Sequence, residues 1–273
     1  MDKNINEVEF TIFDTETTGL EPQSGDRIIE IAALRFKGNE KISEFSTLIN
    51  PHRPVSDGAF QVNKIGQEML IGAPEINTVM PQFLRIIKDS CLCSYNAGFD
   101  LEFLNNELRL LSQPPLEDIV VVDVLKMARR LLPGLERYAL WFVAQKLGLK
   151  QEQVHRAFSD VEMTLEVFQK LKGILESKGI NDFANFSNLF SINPRLLENI
   201  TAQKIAQIQE AIDLGVKLKI KYISSSGAQV SEREVIPKEI KQENNRSYLV
   251  GFCHLRNEER TFRVDGILHL EVI

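Results

Sequence analysis

Among its 273 residues the chain has only three cysteines, one tryptophan and four histidines, and each scarcity removes a class of protein. Cys91, Cys93 and Cys253 are too few and too scattered for a disulfide framework or a cysteine-built zinc site. No apolar run approaches the length of a membrane span, and the opening "MDKNINEVEF" has no apolar core of signal-peptide length. A cytoplasmic protein with no membrane partner is expected. Positive charge is in deficit too: 32 Lys and Arg stand against 38 Asp and Glu, a formal net charge of -6. Indiscriminate coating of nucleic acid is thereby excluded, and any anionic partner must be met by a locally basic surface. Arg129, Arg130, Arg137 and Arg156 could supply one, although ordinary helix-surface charge is the simpler account of most of them. Internal repeats and low-complexity tracts are absent.

What is present fits one medium domain and one small one. "VEFTIFDTE", "RIIEIAALRFK" and "KISEFSTLIN" are rich in β-branched and aromatic residues and read as a three-strand meander, with "GNE" as the turn between the last two. Beyond them strands and helices alternate: "TVMPQFLRIIKD" as helix, "CLCSY" as a short buried strand, and "DLEFLNNELRLL" as a helix with Phe103, Leu104, Leu108 and Leu111 on one face. "VVDVLKMARRLLP" runs from strand into helix, and "ALWFVAQKLGL" and "DVEMTLEVFQKLKGIL" are further helices. This order predicts an α/β fold, a mixed sheet with helices packed on it. Residues 176–203, rich in Asn and Phe, read as a packed connector, and residues 204–273, a series of short alternating runs, as a small antiparallel barrel or sandwich.

The chemistry lies in acids at strand and helix ends. Side chains two apart on a strand share a face, so Asp14 and Glu16 in "FDTETTGL" project together where the chain turns. Two like charges so placed call for a hard divalent cation between them, unless they merely cap a surface turn. In "SYNAGFDLEFL", Asn96 ends a strand and can cap the next helix, leaving Asp100 about one turn in, as a ligand or as a dipole-satisfying acid. In "HRAFSDVEM", His155 and Asp160 would diverge by roughly 140° on one helix. Ser159 with Glu162 fits a capping box, so the helix should begin near Ser159, with Asp160 in its first turn and His155 on the preceding loop.

Taken in order, these motifs resemble the DnaQ-like DEDDh 3′-to-5′ exonucleases, the family of polymerase proofreading subunits. "FDTETTGL", "IIEIAALRF", "YNAGFDLEFLNNEL" and "HRAFSDVEMTLEVF" carry the resemblance, over roughly Val8 to Leu175. It implies an RNase H-like mixed sheet flanked by helices, an exonuclease domain over 1–175, and two Mg²⁺ or Mn²⁺ ions. Asp14, Glu16 and Asp160 would hold the first ion, Asp14 would bridge to the second, and Asp100 would act there directly or through water. His155 would be the general base, and nucleoside 5′-monophosphates would leave one at a time from a single-stranded DNA or RNA 3′ end. The turn Thr17, Thr18, Gly19 and Leu20 would cradle the terminal nucleotide, and Asn96 and Phe103 would line the strand's path. A polymerase or repair protein is the implied partner; nothing in the sequence speaks to oligomeric state. Two features depart from the family pattern: Asn63 stands where relatives carry a histidine, and "RYALWFVAQKLGL" is aromatic where they are Leu-rich. A non-catalytic nucleic-acid-binding regulator and an exonuclease acting on RNA or short oligonucleotides are the alternatives.

The C-terminal "AIDLGVKLKIKYISSSG", "REVIPKEI" and "SYLVGFCHLRNEERTFRVDGI" resemble a WYL domain, which implies a small Sm-like β-barrel. The naming tripeptide is reduced here to Ser247, Tyr248 and Leu249, and Gly266 follows Asp265 where an arginine is usual. Arg260 and Arg263, at odd spacing, fall on opposite strand faces, with Arg256 in the turn before them. Guanidinium groups suit phosphate, and Tyr222 and Tyr248 offer stacking surfaces for bases, so these five form a candidate ligand site. Ion pairing with Glu258 and Glu259 is the plain alternative.

Overall fold

The computed structural model describes residues 3–149, 155–192, 194–224, 228–244 and 246–273, with backbone alone for 194–200. The meander forms as its composition requires: β1 (Glu9–Thr17), β2 (Ile28–Lys37) and β3 (Glu40–Leu48) pair antiparallel in sequence order. Three helices follow, α1 (Asp57–Asn63), α2 (Gln67–Leu70) and α3 (Ile76–Ile87), then β4 (Cys91–Ser94), α4 (Ala97–Leu110), β5 (Val121–Asp123) and α5 (Val124–Leu131). β4 pairs parallel to β1 and β5 parallel to β4, so the sheet order is β3-β2-β1-β4-β5. This is the mixed sheet expected from a meander followed by alternating elements. Helices α6 (Leu140–Lys146), α7 (Ala157–Ser177) and α8 (Phe183–Phe190) complete this part of the chain.

Alternation along β1 sorts the core into two layers. Phe10 and Ile12 face one way, into a cluster with Val161, Val167, Phe168, Phe186 and Phe190 of α7 and α8. Phe13 faces the other way, against Phe83 of α3 and Phe103 and Leu104 of α4. The even positions of β1 therefore belong to the α7 side and the odd positions to the α4 side, a division that decides where the acids meet. The connector is packed: Phe186 stacks edge-on against Phe10 and Phe168.

Helix α9 (Pro194–Leu214) leads into a second sheet of β6 (Leu218–Ile223), β7 (Val230–Glu243), β8 (Arg246–Cys253), β9 (Glu258–Arg263) and β10 (Ile267–Val272). All its pairings are antiparallel, in the order β10-β6-β7-β8-β9. Ile208 and Ala211 of α9 pack with Leu218, Ile220, Val235 and Leu249 as its core. The edges β9 and β10 share no ladder among the described residues, so a closed barrel is not what the hydrogen bonding draws. The expected start of the β module at residue 204 lies inside α9, one continuous helix. Among the described residues no helix is long and apolar enough to cross a membrane.

Candidate active site

Asp14 and Glu16 occupy even positions at the end of β1 and therefore emerge on the α7 side. Asp160, in the first turn of α7, rises to meet them: one carboxylate oxygen from each of the three lies within 4.8 Å of the others. Asp160 Oδ1 is buried with no hydrogen-bond partner, a costly condition for a carboxylate unless a cation satisfies it. Burial, and then the neighbouring acids Asp100, Asp160, Glu16 and Glu30, push Asp14 well above the ordinary carboxylate range. Glu16 is raised to about 8, by burial first and then by Asp160, Glu30 and Asp100. Ionising all of them together is unfavourable, and an all-oxygen donor set of this kind suits a hard divalent cation.

Asp100 reaches the same place from the opposite layer. Thr15, the odd residue between the two acids, points toward α4 and donates to Asp100 Oδ1 through its N–H (3.0 Å) and its hydroxyl (2.7 Å), while Ser94 donates to Oδ2 (2.5 Å). These donors partly offset the burial that raises Asp100 to about 6. Asp100 is thus oriented by protein, close enough to raise Asp14 and Glu16 electrostatically, but outside the group of three. His155 precedes α7 with a left-handed φ of 49° and lies near enough to Asp160 to favour its ionised form. It is on the loop side of the helix start, as the spacing required. The helix, however, begins at Ala157 rather than near Ser159, and Arg156, not Ser159, is its N-cap. The acceptor for its first N–H is supplied from β2 by Glu30, so the local capping box is not used.

The turn after β1 is held by its own side chains. Thr17 Oγ1 donates to Gly19 O (2.6 Å), Thr18 Oγ1 to Asp26 Oδ1 (2.9 Å), and Thr18 N–H to Arg27 O (2.9 Å). A Cβ on Gly19 would come within 2.2 Å of Asp26 Oδ2, so a side chain there would have to push the Asp26 carboxylate off Thr18. Leu20 is 78% exposed at the tip. The threonine hydroxyls shape the turn; the Gly19 and Leu20 N–H groups are the ones it leaves unengaged among the described residues. Asn63 sits 2% exposed at the end of α1, donating to Thr17 O (3.3 Å) and helping to keep Glu16 ionised. Sequence reasoning placed it only as a departure from a family pattern; its work is to brace the strand end.

Two further expectations divide. Asn96 is exposed at the start of α4, held in the left-handed region by its N–H donating to Asp123 Oδ1, and its side chain makes no cap bond. Phe103 needs correction: at 1% exposure it is a core residue packed on Phe99 (centroids 4.9 Å) and cannot line a path at the surface. The helical face that presents Leu104 and Leu108 to the sheet carries Phe103 with it.

The five C-terminal candidates do not converge. Tyr222 turns inward and packs edge-on against Phe262 (5.2 Å), its hydroxyl accepting from Arg263 N–H (3.4 Å). Arg260 pairs with Glu258 (2.7 Å) and Arg263 with Asp265 (3.0 Å from Nε), while Arg256 is exposed in the β8–β9 turn. Tyr248 lies opposite Arg263 in the β8–β9 register, on the face away from Leu249. Three of the four arginines proposed for a basic path are likewise engaged: Arg130 is buried and donates to Ile223 O, Arg137 lies over Trp141 and Phe142, and Arg156 grips Glu30, while Arg129 is exposed on α5.

Comparison with known proteins agrees with this geometry. The RNase T family model, described as an exonuclease, matches residues 11–168, and the WYL domain model matches residues 203–272. The chain is 43% identical over 163 residues to DNA polymerase III subunit epsilon of Treponema pallidum, covering 59% of this chain and 75% of that protein. It is 30% identical over 259 residues to the PolC-type DNA polymerase III of Staphylococcus epidermidis (strain RP62A), covering 92% of this chain but only 17% of that protein's length. Among solved structures, the nuclease domain of 3′hExo, a DEDDh family member bound to rAMP, superposes with a TM-score of 0.56 at 17% identity, over 66% of this chain and 97% of that one.

Proposed function

The chain belongs to the RNase T family of exonucleases, DnaQ-like, and from that premise we propose that it removes nucleotides one at a time from a 3′ end of single-stranded DNA. The observation that carries this reading is the convergence of Asp14, Glu16 and Asp160 within 4.8 Å, with Asp160 Oδ1 left buried and unpartnered. Asp14, Glu16 and Asp160 would hold one Mg²⁺ or Mn²⁺; Asp14 and, directly or through water, Asp100 would serve a second. Two such ions supply positive charge for both the attacking and the leaving oxygen of an in-line displacement at phosphorus. His155 takes the proton from the attacking water, a task suited to an imidazole whose unperturbed pKa is near 6.5. Gly19 and Leu20 offer backbone N–H groups and an exposed apolar tip to the terminal nucleotide, and Asn96 flanks them. Nucleoside 5′-monophosphates are the products.

The same proposal divides the chain into an exonuclease domain at 1–175, a connector at 176–203 and a β module at 204–273. For the module the proposal keeps an Sm-like barrel in open form: its last strand, β10, pairs with its first, β6, while β9 and β10 share no ladder among the described residues. Its partners would be the substrate strand or a nucleotide-like ligand, and the catalytic partner a polymerase or repair protein.

A 3′-free labelled strand incubated with Mg²⁺ or Mn²⁺ tests the reading. Laddering from the 3′ end that EDTA stops and Asp14→Ala abolishes supports it. An inert protein that still binds the strand would favour a non-catalytic regulator, and faster laddering of the matched RNA would move the substrate class to RNA.

A further inference from the structure

Glu30 is the acid at this site that the metal chemistry does not use. It lies on β2 opposite Glu16 in the β1–β2 register, on the same face, and it is 3% exposed. Its charge is felt by Asp14, Glu16 and Asp160. A carboxylate in that position could compete for a cation, yet both of its oxygens are already committed. Oε1 accepts from Arg156 Nη2 (2.7 Å) and Nε (3.2 Å), and Oε2 accepts from Arg156 Nε (3.0 Å) and from the backbone N–H of Ala157 (3.0 Å).

Those contacts fall on one short piece of chain. Arg156 and Ala157 are the two residues after His155, and Asp160 follows one turn later. Helix α7 has no side-chain cap of its own, so its first N–H would be unsatisfied without Glu30. A carboxylate there also complements the helix dipole. His155 holds a left-handed φ of 49°, a conformation a non-glycine residue keeps only when its surroundings over-determine it. The guanidinium fork two-handedly grasping a buried carboxylate is such a constraint, because bidentate pairing fixes orientation as well as distance.

Resting on the exonuclease reading above, we propose that Glu30 and Arg156 form a clamp that positions His155: β2 holds the entry of α7, and with it the backbone that carries the imidazole, at a fixed place relative to Asp160. Both are positioning residues, neither a metal ligand nor a proton carrier. The clamp also explains why the capping box at Ser159 goes unused: the helix is started from the sheet, two residues earlier, at the point that sets the histidine. A merely stabilising ion pair would make no distinction between loss of His155 and its presence, and that difference is measurable.

The test is a double-mutant cycle in single-turnover exonuclease assays with saturating Mg²⁺. Arg156→Gln should lower kcat by about 10²-fold, the cost of misplacing a reacting group by about 1 Å, with KM for the strand changed less than about twofold. In a His155→Ala background the same substitution should cost less than about twofold, since groups acting as a unit are non-additive. Arg156→Lys, which keeps charge but not the fork, should recover part of the rate. If Arg156→Gln alone folds poorly, the charge-balanced pair Glu30→Gln with Arg156→Gln carries the same measurements. A second readout needs no activity: in metal-free protein the His155 Cε1–H resonance, assigned by its loss in His155→Ala among four histidines, should move toward that of an exposed histidine in Arg156→Gln. An equal rate loss in both backgrounds, or an unmoved resonance, overturns the clamp. Wild-type protein with no nuclease activity overturns the functional reading instead, and the resonance then still decides the clamp.

Discussion

The two sheets treat charge in opposite ways. At the end of β1, Asp14, Glu16 and Asp160 crowd together while the nearby guanidinium of Arg156 is engaged by Glu30, and an oxygen of Asp160 is left without a donor. On the second sheet two of the three candidate arginines have an acid beside them, Arg260 with Glu258 and Arg263 with Asp265, and the neighbouring Lys238 is paired with Glu259. Unbalanced charge, partly buried, is held in place at a cost the fold bears elsewhere; balanced charge at a surface is ordinary. The difference separates a site that awaits a ligand from a surface that does not need one, and it weakens the Tyr222, Arg260 and Arg263 reading more than any departure in sequence did.

The comparison sharpens most under Asp160→Asn. This substitution removes the charge behind the unpartnered oxygen, and strand cleavage should fall by more than about 10³-fold, as when one member of a catalytic unit is lost. A fall below tenfold would make the acid cluster incidental. Next in size is the pH dependence of stability in EDTA. Glu16 unfolded should lose its proton near 4.5, whereas folded it keeps the proton to about 8 because of burial and the neighbouring acids. Its effect is absent below about 4.5, and stability falls as pH rises through that window, by on the order of 5 kcal/mol for this group alone. Urea melts from pH 5 to 9 should show the decline, and saturating Mg²⁺ should flatten it. A flat profile in EDTA would deny the charge crowding.

Balanced charge in the first domain provides an intermediate case. Arg27 binds Glu107 through Nε (2.8 Å) and Nη2 (2.7 Å), and the Glu107 side chain is 1% exposed. Arg27→Ala strands that carboxylate in the core and should cost about 3–5 kcal/mol in a urea melt, whereas Arg27→Ala with Glu107→Leu should recover most of it. At the small end stands Arg260→Ala on the second sheet, where the partner is equally exposed. It should leave the melting temperature unmoved, and a marked loss of strand binding in that variant would restore the ligand reading of the β module.

Much of this was legible because it is periodic. β-Branched and aromatic runs announce strands, the two-residue repeat puts Asp14 and Glu16 on one face, and the five-residue gap between His155 and Asp160 forbids one helical face. The start of α7 was not legible, since its first N–H is satisfied from β2, more than a hundred residues away, rather than by Ser159. Nor was Phe103 as a core residue, because a helix's buried stripe and a groove-facing stripe look alike until the sheet is placed. The inward turn of Tyr222 is the same ambiguity on a strand.

By itself the sequence determined the order of the acids, the period of each element and the kind of atom each side chain could offer, since these depend on near neighbours along the chain. Only the tertiary structure decided that Thr15, on the face opposite Asp14 and Glu16, would hold Asp100, and that Glu30 would be taken up by Arg156. Contacts between layers are set by which face of a sheet a helix covers, and no local pattern carries that choice.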